Sequence, residues 1–245
     1  MFDSFLNSIL GFLLNWQPIY AVIFISFVIS VIIVFVYKWM TNQNEMKRLK
    51  EDLNSFQKKM KEAKDNPEKL MQLQKEAMST NMTYMGKSMK PTFITFIPIL
   101  LIFGWMSAHF AFEPLMPGQE FTLIATMVKD VEGNVSITVP EGLEVVGDLT
   151  QKITESTATF KLKGTGEGEH YVTLASGDQK VDKKVIITSA RNYAPVDETY
   201  KNSVFKSATL GNKQLKVFWK LSWIWAYILS AIVFSMALRK LLKVY

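Results

Sequence analysis

Three long apolar blocks fix what this chain can fold into. The stretches Ile19–Tyr37, Thr92–Phe112 and Phe218–Leu238 are nearly free of charge, broken only by Lys220 near the start of the last. About 20 helical residues cover the roughly 30 Å hydrocarbon core of a bilayer. A hydrophobic fraction of 49% is compatible with a water-soluble protein; its concentration into three span-length blocks is not. The sequence therefore predicts a membrane α-helical fold with transmembrane helices at residues 18–38, 91–112 and 217–238.

Charge orients the spans. Twelve Lys/Arg lie between Lys38 and Lys90, and none precede the first span. The positive-inside rule then puts the amino terminus outside and residues 39–90 in the cytoplasm. The third span ends inside, with residues 239–245 as a basic cytoplasmic tail. The stretch 113–216 also holds twelve Lys/Arg, but long loops translocate largely regardless of charge. A plasma-membrane, multi-pass protein is expected. The first span has no basic residues before it and no small-residue cleavage site after it, which argues against a cleaved signal peptide.

Residues 1–17 place Phe2, Phe5, Leu6, Ile9, Leu10, Phe12, Leu13 and Trp16 at helical spacing opposite a polar face. That pattern predicts an interfacial amphipathic helix, turned into the bilayer at Pro18. After the first span, Met46, Leu49, Leu53, Phe56, Met60 and Ala63 repeat at alternating steps of three and four. "DNPEK" (Asp65–Lys69) interrupts this seam with a turn, and Leu70, Leu73 and Ala77 continue it. The expectation is an antiparallel coiled-coil hairpin over residues 39–90. Between spans two and three, period-two segments separated by Gly-rich turns predict a small extracytoplasmic β-sandwich over residues 113–216. Its strands are expected at Phe121–Lys129, Val135–Val139, Leu143–Val146, Thr157–Lys163, Tyr171–Ala175 and Lys184–Thr188. Tyr171 is a candidate tyrosine corner, and residues 190–216 read as an irregular strap.

Chemistry-bearing motifs are few. The chain contains no cysteine, hence no disulfide, thiol nucleophile or thiolate metal site. No nucleotide-binding loop, zinc-ligand spacing or nucleophile elbow occurs, so neither enzymatic activity nor a cofactor or metal is expected. His109, where the second span leaves the hydrocarbon, reads as interfacial packing.

Met78, Met82, Met85 and Met89 form one helical stripe, with Met71 a heptad further back. Methionine is flexible and polarizable, suiting surfaces that meet apolar partners of varied shape. The same stripe equally suits the core of the hairpin. Small polar groups recur in the spans: Ser26 and Ser30; Thr92, Thr95 and Ser107; Ser222, Ser230 and Ser235. Pro98 deprives the Ile94 carbonyl of its helical donor and favours a kink. These groups fit either a hydroxyl-lined cleft or close helix packing. Lys47, Arg48, Lys58 and Lys59, with Arg239, Lys240 and Lys243, fit a basic surface facing the ribosome, or a solvated face with inside-positive flanks.

The span order, the basic hairpin and the motifs "MKPTFITFIPILLIFGWM" (Met89–Met106) and "LSWIWAYILSAIVFSMALRKLLKVY" (Leu221–Tyr245) closely resemble archaeal members of the Oxa/YidC superfamily of membrane protein insertases. A eukaryotic relative is the insertase subunit of the ER membrane complex. The resemblance implies a helical bundle with a hydrophilic groove open to cytoplasm and lipid, and a Met-rich segment that meets hydrophobic substrates. It makes Ser26, Ser30, Thr92, Thr95, Pro98, Ser107, Ser222 and Ser230 the candidate groove, and Met71, Met78, Met82, Met85 and Met89 the candidate substrate entrance. Implied partners are the lipid bilayer, nascent membrane proteins with short polar tails, the ribosome and a Sec translocon. Nucleotide hydrolysis is not required. One departure stands out: bacterial relatives carry a groove arginine, whereas no Arg falls within these spans, so an electrostatic pull on acidic tails is not expected. The main rival is a membrane-anchored structural or receptor protein acting through its external β-domain; a solute transporter is disfavoured by the lack of paired intramembrane charges.

Overall fold

The computed structural model describes residues 2–244, with side chains from Phe5 onward. Met1 and Tyr245, the outermost residues of the predicted interfacial helix and basic tail, lie outside it. The chain divides into two units, Met1–Gly104 with Ile224–Tyr245, and Trp105–Trp223.

The first unit is helical. Helix α1 (Phe2–Leu10) passes into a 3-10 turn at Gly11–Asn15, so the predicted single helix is two shorter pieces. Gln17 is extended and Pro18 occupies the first turn of helix α2 (Pro18–Met40), where its missing N–H costs nothing. Phe12 and Trp16 fold back onto Phe24 at 6.4 and 5.6 Å between ring centroids, tying the 3-10 turn to α2. Helix α3 (Gln43–Glu62) starts at Asn42, whose side chain accepts bonds from the Asn44 and Glu45 amides. Asn66 likewise accepts from the Lys69 amide and opens helix α4 (Pro67–Phe110), 44 residues long. The second arm after the turn and the apolar second block are thus one helix. It continues past Pro91 and Pro98 without a break, because each proline removes only one bond from a long cooperative ladder.

The heptad positions are the inward ones. Met46 and Leu49 of α3, Ala63 at its C-terminal cap and Leu73 of α4 are buried, with Leu53, Phe56, Met60, Leu70 and Ala77 partly so. A Lys87–Glu45 ion pair at 3.0 Å and packing of Tyr84 against the cluster of Val34, Tyr37, Met46 and Val244 join α3 and α4 near α2.

The second unit is β-rich. Its strands are β1 (Glu120–Met127), β2 (Asn134–Thr138), β3 (Leu143–Val145), β4 (Thr150–Lys152), β5 (Thr157–Gly164), β6 (Gly168–Ser176), β7 (Gln179–Ile187), β8 (Asp197–Thr199), β9 (Phe205–Leu210), β10 (Lys216–Phe218) and β11 (Leu221–Ser222). One sheet runs β3-β5-β1-β9-β8 and another β4-β2-β6-β7. Alternating residues of both, such as Phe121 and Leu123, Phe160 and Leu162, Val172 and Leu174, enter one hydrophobic core. The stretch expected as an irregular strap holds β8 and β9, and β9 pairs directly with β1. Its Phe205, Ala208 and Leu210 are buried, but a register shift at Thr126/Met127 breaks strict alternation along the pair.

Tyr171 is exposed on β6 rather than forming a corner. Tyr200 takes the bracing role, donating to the Asp182 carbonyl at 2.9 Å. Gly142, at φ +93°, lies against the His170 ring, where a Cβ would come within 2.3 Å. Lys183 is fully buried, donating to the Pro195 carbonyl at 2.5 Å and pairing with Glu198 at 3.3 Å. Its burial holds the ammonium below the ordinary lysine range, against the pull of Glu198.

The last helix, α5 (Trp223–Leu241), begins later than the predicted third span and ends beyond it. Phe218 and Ser222 belong to strands, while Arg239 and Lys240 lie in the helix's last turn.

Candidate functional site: a polar cavity beside an apolar one

In the helical unit, α2, α4 and α5 enclose a cavity of about 250 Å³. Ser88, Thr92 and Thr95 sit three and four residues apart on α4, so helical periodicity stacks them on one face. Tyr37 of α2 approaches from the other side, its hydroxyl 3.3 Å from the Ser88 Oγ. Each α4 hydroxyl donates to the carbonyl one turn back: Ser88 to Tyr84 at 2.8 Å, Thr92 to Ser88 at 2.9 Å, and Thr95 to Pro91 at 3.1 Å. This back-bonding satisfies the hydroxyl proton inside an apolar segment and leaves the oxygen lone pairs as acceptors.

Arg239 supplies the opposite polarity. Its guanidinium reaches the cavity and lies 4.9 Å over the Tyr37 ring. Among the described residues no carboxylate pairs with it. Stacking on an aromatic face stabilises such a cation by about 0.5–2 kcal/mol without using its hydrogen-bond donors. Arg239, a candidate ribosome-facing residue of the basic tail, lies in the last turn of α5, which stays helical to Leu241, and is the charged group of this cavity's lining. The structure thereby supplies an arginine where the spans had none.

Ile33 also borders a second cavity of about 400 Å³ between α2 and α5. Ser30, Ser235 and Tyr227 bring hydroxyl groups to its lining, and Ile33, Ile228, Ala231, Ile232 and Met236 make the rest largely apolar. A polar pocket and an apolar one therefore share a wall.

The predicted groove residues divide. Thr92 and Thr95 line the first cavity and Ser30 the second. Ser26 is buried and donates to Val22 at 2.7 Å, serving helix packing. Pro98 is exposed and Ser230 half-buried, and neither lines a cavity described here. Ser107 and Ser222 fall in the β-rich unit, where the Ser107 carbonyl accepts from Tyr193. Sequence reasoning missed Tyr37, Tyr84 and Ser88, and named Arg239 for the basic surface but not for this cavity; Ser88 continues the Thr92/Thr95 spacing and was the visible signal.

Met71, Met78, Met82, Met85 and Met89 are all exposed. They lie one helical step away from the face of buried Leu73 and half-buried Leu70 and Ala77, which rotates them about 100° from it. Lys47, Arg48, Lys58, Lys59, Lys240 and Lys243 are exposed as well. Lys47 reaches Glu51 at 3.8 Å, and Lys59 lies 5.9 Å over the Phe56 ring.

Three described helices, Pro18–Met40, Pro67–Phe110 and Trp223–Leu241, are long and apolar enough to cross a membrane. A family model described as "Integral membrane protein EMC3/TMCO1-like" matches residues 7–145, more than half of the chain. The chain belongs to this family. EMC3/TMCO1-like proteins form part of the Oxa1/YidC/Alb3 insertase superfamily. The matched region carries α2, α3, α4 and the first three strands, and so includes the Met stripe and the hydroxyl ridge. Arg239 and the rest of α5 lie beyond it. No curated protein and no solved structure matches the chain.

Proposed function

We propose that this EMC3/TMCO1-like protein is a membrane protein insertase of the archaeal type, passing transmembrane segments with short polar tails into the bilayer. The observation that carries the reading is the Arg239 guanidinium, stacked on Tyr37 and sharing a cavity with a ridge of acceptor hydroxyls, next to an apolar cavity between candidate spans. A polypeptide tail needs both polarities. Its N–H groups find the oxygens of Ser88, Thr92 and Thr95, and its carbonyls or carboxylates find Arg239. Each polar group left unsatisfied in hydrocarbon costs several kcal/mol, so even a short polar passage lowers the barrier. Burial of the following apolar helix in lipid then drives the step, with no nucleotide.

In this reading α3 and the first part of α4 form a cytoplasmic coiled-coil hairpin whose methionines receive the nascent helix. The β-rich unit is an extracytoplasmic sandwich. The amino terminus is outside and the carboxyl terminus inside the plasma membrane. The exposed basic residues of the hairpin face the ribosome, and a Sec translocon is a further candidate partner.

Site-specific photocrosslinking tests the proposal. Probes at Thr95 and Met85 should capture ribosome-bound nascent membrane proteins, and a probe at Leu149 on the β-rich unit should not. Absence of adducts from both Thr95 and Met85, with the protein folded and membrane-inserted, would overturn it.

A further inference from the structure

Immediately before α5 the chain makes a short hairpin with an aromatic tip. Strands β10 and β11 pair Phe218 with Leu221, leaving Trp219 and Lys220 as a two-residue loop. Such loops need a positive φ at their first position and strongly favour Gly or Asn there. Here the position is tryptophan, at φ +52°. A bulky side chain seldom adopts this backbone. The tip presents Trp219 at 85% exposure and Phe218 at 58%, while the unit's other tryptophans, Trp105 and Trp223, are buried. The sequence thus places its largest apolar side chain where it meets no protein.

Three further observations say what covers it. The first is chain continuity. Trp219 stands four residues before Trp223, the first residue of α5, so it lies at most about 14 Å from the start of that apolar helix. This is within reach of the headgroup layer at which α5 begins. The second is charge. From Thr199 to the carboxyl end the sequence has no Asp or Glu, and Lys213, Lys216 and Lys220 flank the aromatic pair along the chain. Lysines beside exposed aromatics match an anionic lipid surface, where the rings sit at the acyl boundary and the ammonium groups reach the phosphates. The third is a parallel within the same chain. The one large apolar side chain more exposed than Trp219 among the described residues is Trp39, at 89%; it too sits beside a lysine, Lys38, at the end of an apolar helix.

We propose that the Phe218–Trp219–Lys220 hairpin is a lipid-docking element that inserts into the headgroup region of the leaflet where α5 begins, with anionic phospholipid as its preferred partner. It fixes the point at which the β-rich unit meets the bilayer. The inference rests on membership of an integral membrane family and not on the insertase reading, so failed crosslinking to nascent chains would leave it intact.

The absence of native cysteine makes the test direct. Single cysteines from Trp219→Cys, Lys220→Cys and Leu149→Cys carry a nitroxide in the full-length protein, reconstituted at low density into vesicles of phosphatidylcholine and phosphatidylglycerol. Collisions with oxygen, which concentrates in the bilayer, are compared with collisions with a water-soluble nickel chelate. The label at 219 should show an oxygen-to-nickel ratio several-fold above that at 149, with 220 between the two. Lys220→Cys retains Trp219, so the hairpin is probed even if the tryptophan variant is perturbed. Ratios at 219 and 220 equal to that at 149 would overturn the proposal. Shielding of both positions from both reagents would also overturn it, assigning the tip to a protein contact between copies.

Discussion

Replacing Met78 and Met82 together with serine separates a substrate-receiving surface from a structural seam. The two side chains are 67% and 66% exposed, so about a third of each is withdrawn from solvent. Complete burial of a methionine side chain stabilises a fold by about 1.5–3 kcal/mol, which makes the loss roughly 0.5–1 kcal/mol per position. The lower helix propensity of serine adds a few tenths of a kcal/mol. The pair should therefore cost about 1.5–3 kcal/mol, spread over a helix anchored along its other face. Leu73, which is buried, is the control: Leu73→Ser removes a core side chain and should cost at least about 2–5 kcal/mol by itself. Both variants are followed by circular dichroism and membrane abundance, with insertion of short-tailed model substrates into proteoliposomes as the functional assay. The methionine pair should retain helix and abundance while insertion falls. Leu73→Ser should lose hairpin helicity. A methionine pair that unfolds the hairpin would refute the burial argument, and one that inserts every substrate normally would remove the methionines from the mechanism.

Leucine at Met78, Met82, Met85 and Met89 should preserve folding but narrow the range of accepted helices, read from insertion of a panel of substrates with differently shaped apolar segments. Arg239→Gln should slow insertion of acidic-tailed substrates about tenfold, the worth of one charge-assisted hydrogen bond of about 1.5 kcal/mol, and affect neutral tails less; equal losses for both tails would dismiss the electrostatic role. Charge reversal of Lys47, Arg48, Lys58 and Lys59 to glutamate should abolish salt-sensitive co-sedimentation with ribosomes. The buried Lys183 predicts a pH signature. Its folded pKa lies below the unfolded value of 10.5, so between the two the unfolded chain binds more protons. Stability should rise with pH across that window, and Lys183→Met should erase the rise, measured as the difference between the two unfolding midpoints in detergent.

Charge-free blocks and the three-four repeat were readable because each reports one dominant physical demand, lipid solvation or a buried seam. Met46, Leu49 and Leu73 are buried as that repeat requires. The Met stripe was ambiguous because it has the same period as the seam, and only the one-residue offset from Leu70 and Ala77 decides which face it takes. Phe218 looked like the start of a span because hydropathy cannot tell an exposed aromatic hairpin from a helix; the distinction lies in the backbone at Trp219. Strand β9 was hidden by its small residues, Ser207 and Ala208, and by a partner some 80 positions earlier in the chain. Arg239 was assigned to the tail by charge alone. Its place in the cavity depends on three helices meeting, which no local window contains.

Helix α4 carries both the Met stripe and the hydroxyl ridge without a break. Met78 and Thr95 are 17 residues apart, or about 25 Å along one axis. A lever of that length couples its two ends: a hydrophobic load pressing on the methionines tilts or rolls the same rod whose far face bears Thr92 and Thr95. If the methionines receive substrate as proposed, its arrival is a mechanical input to the polar cavity as well as a chemical one. Pro91, with no amide of its own to hold the Lys87 carbonyl, stands between the two ends as the most compliant point of the shaft.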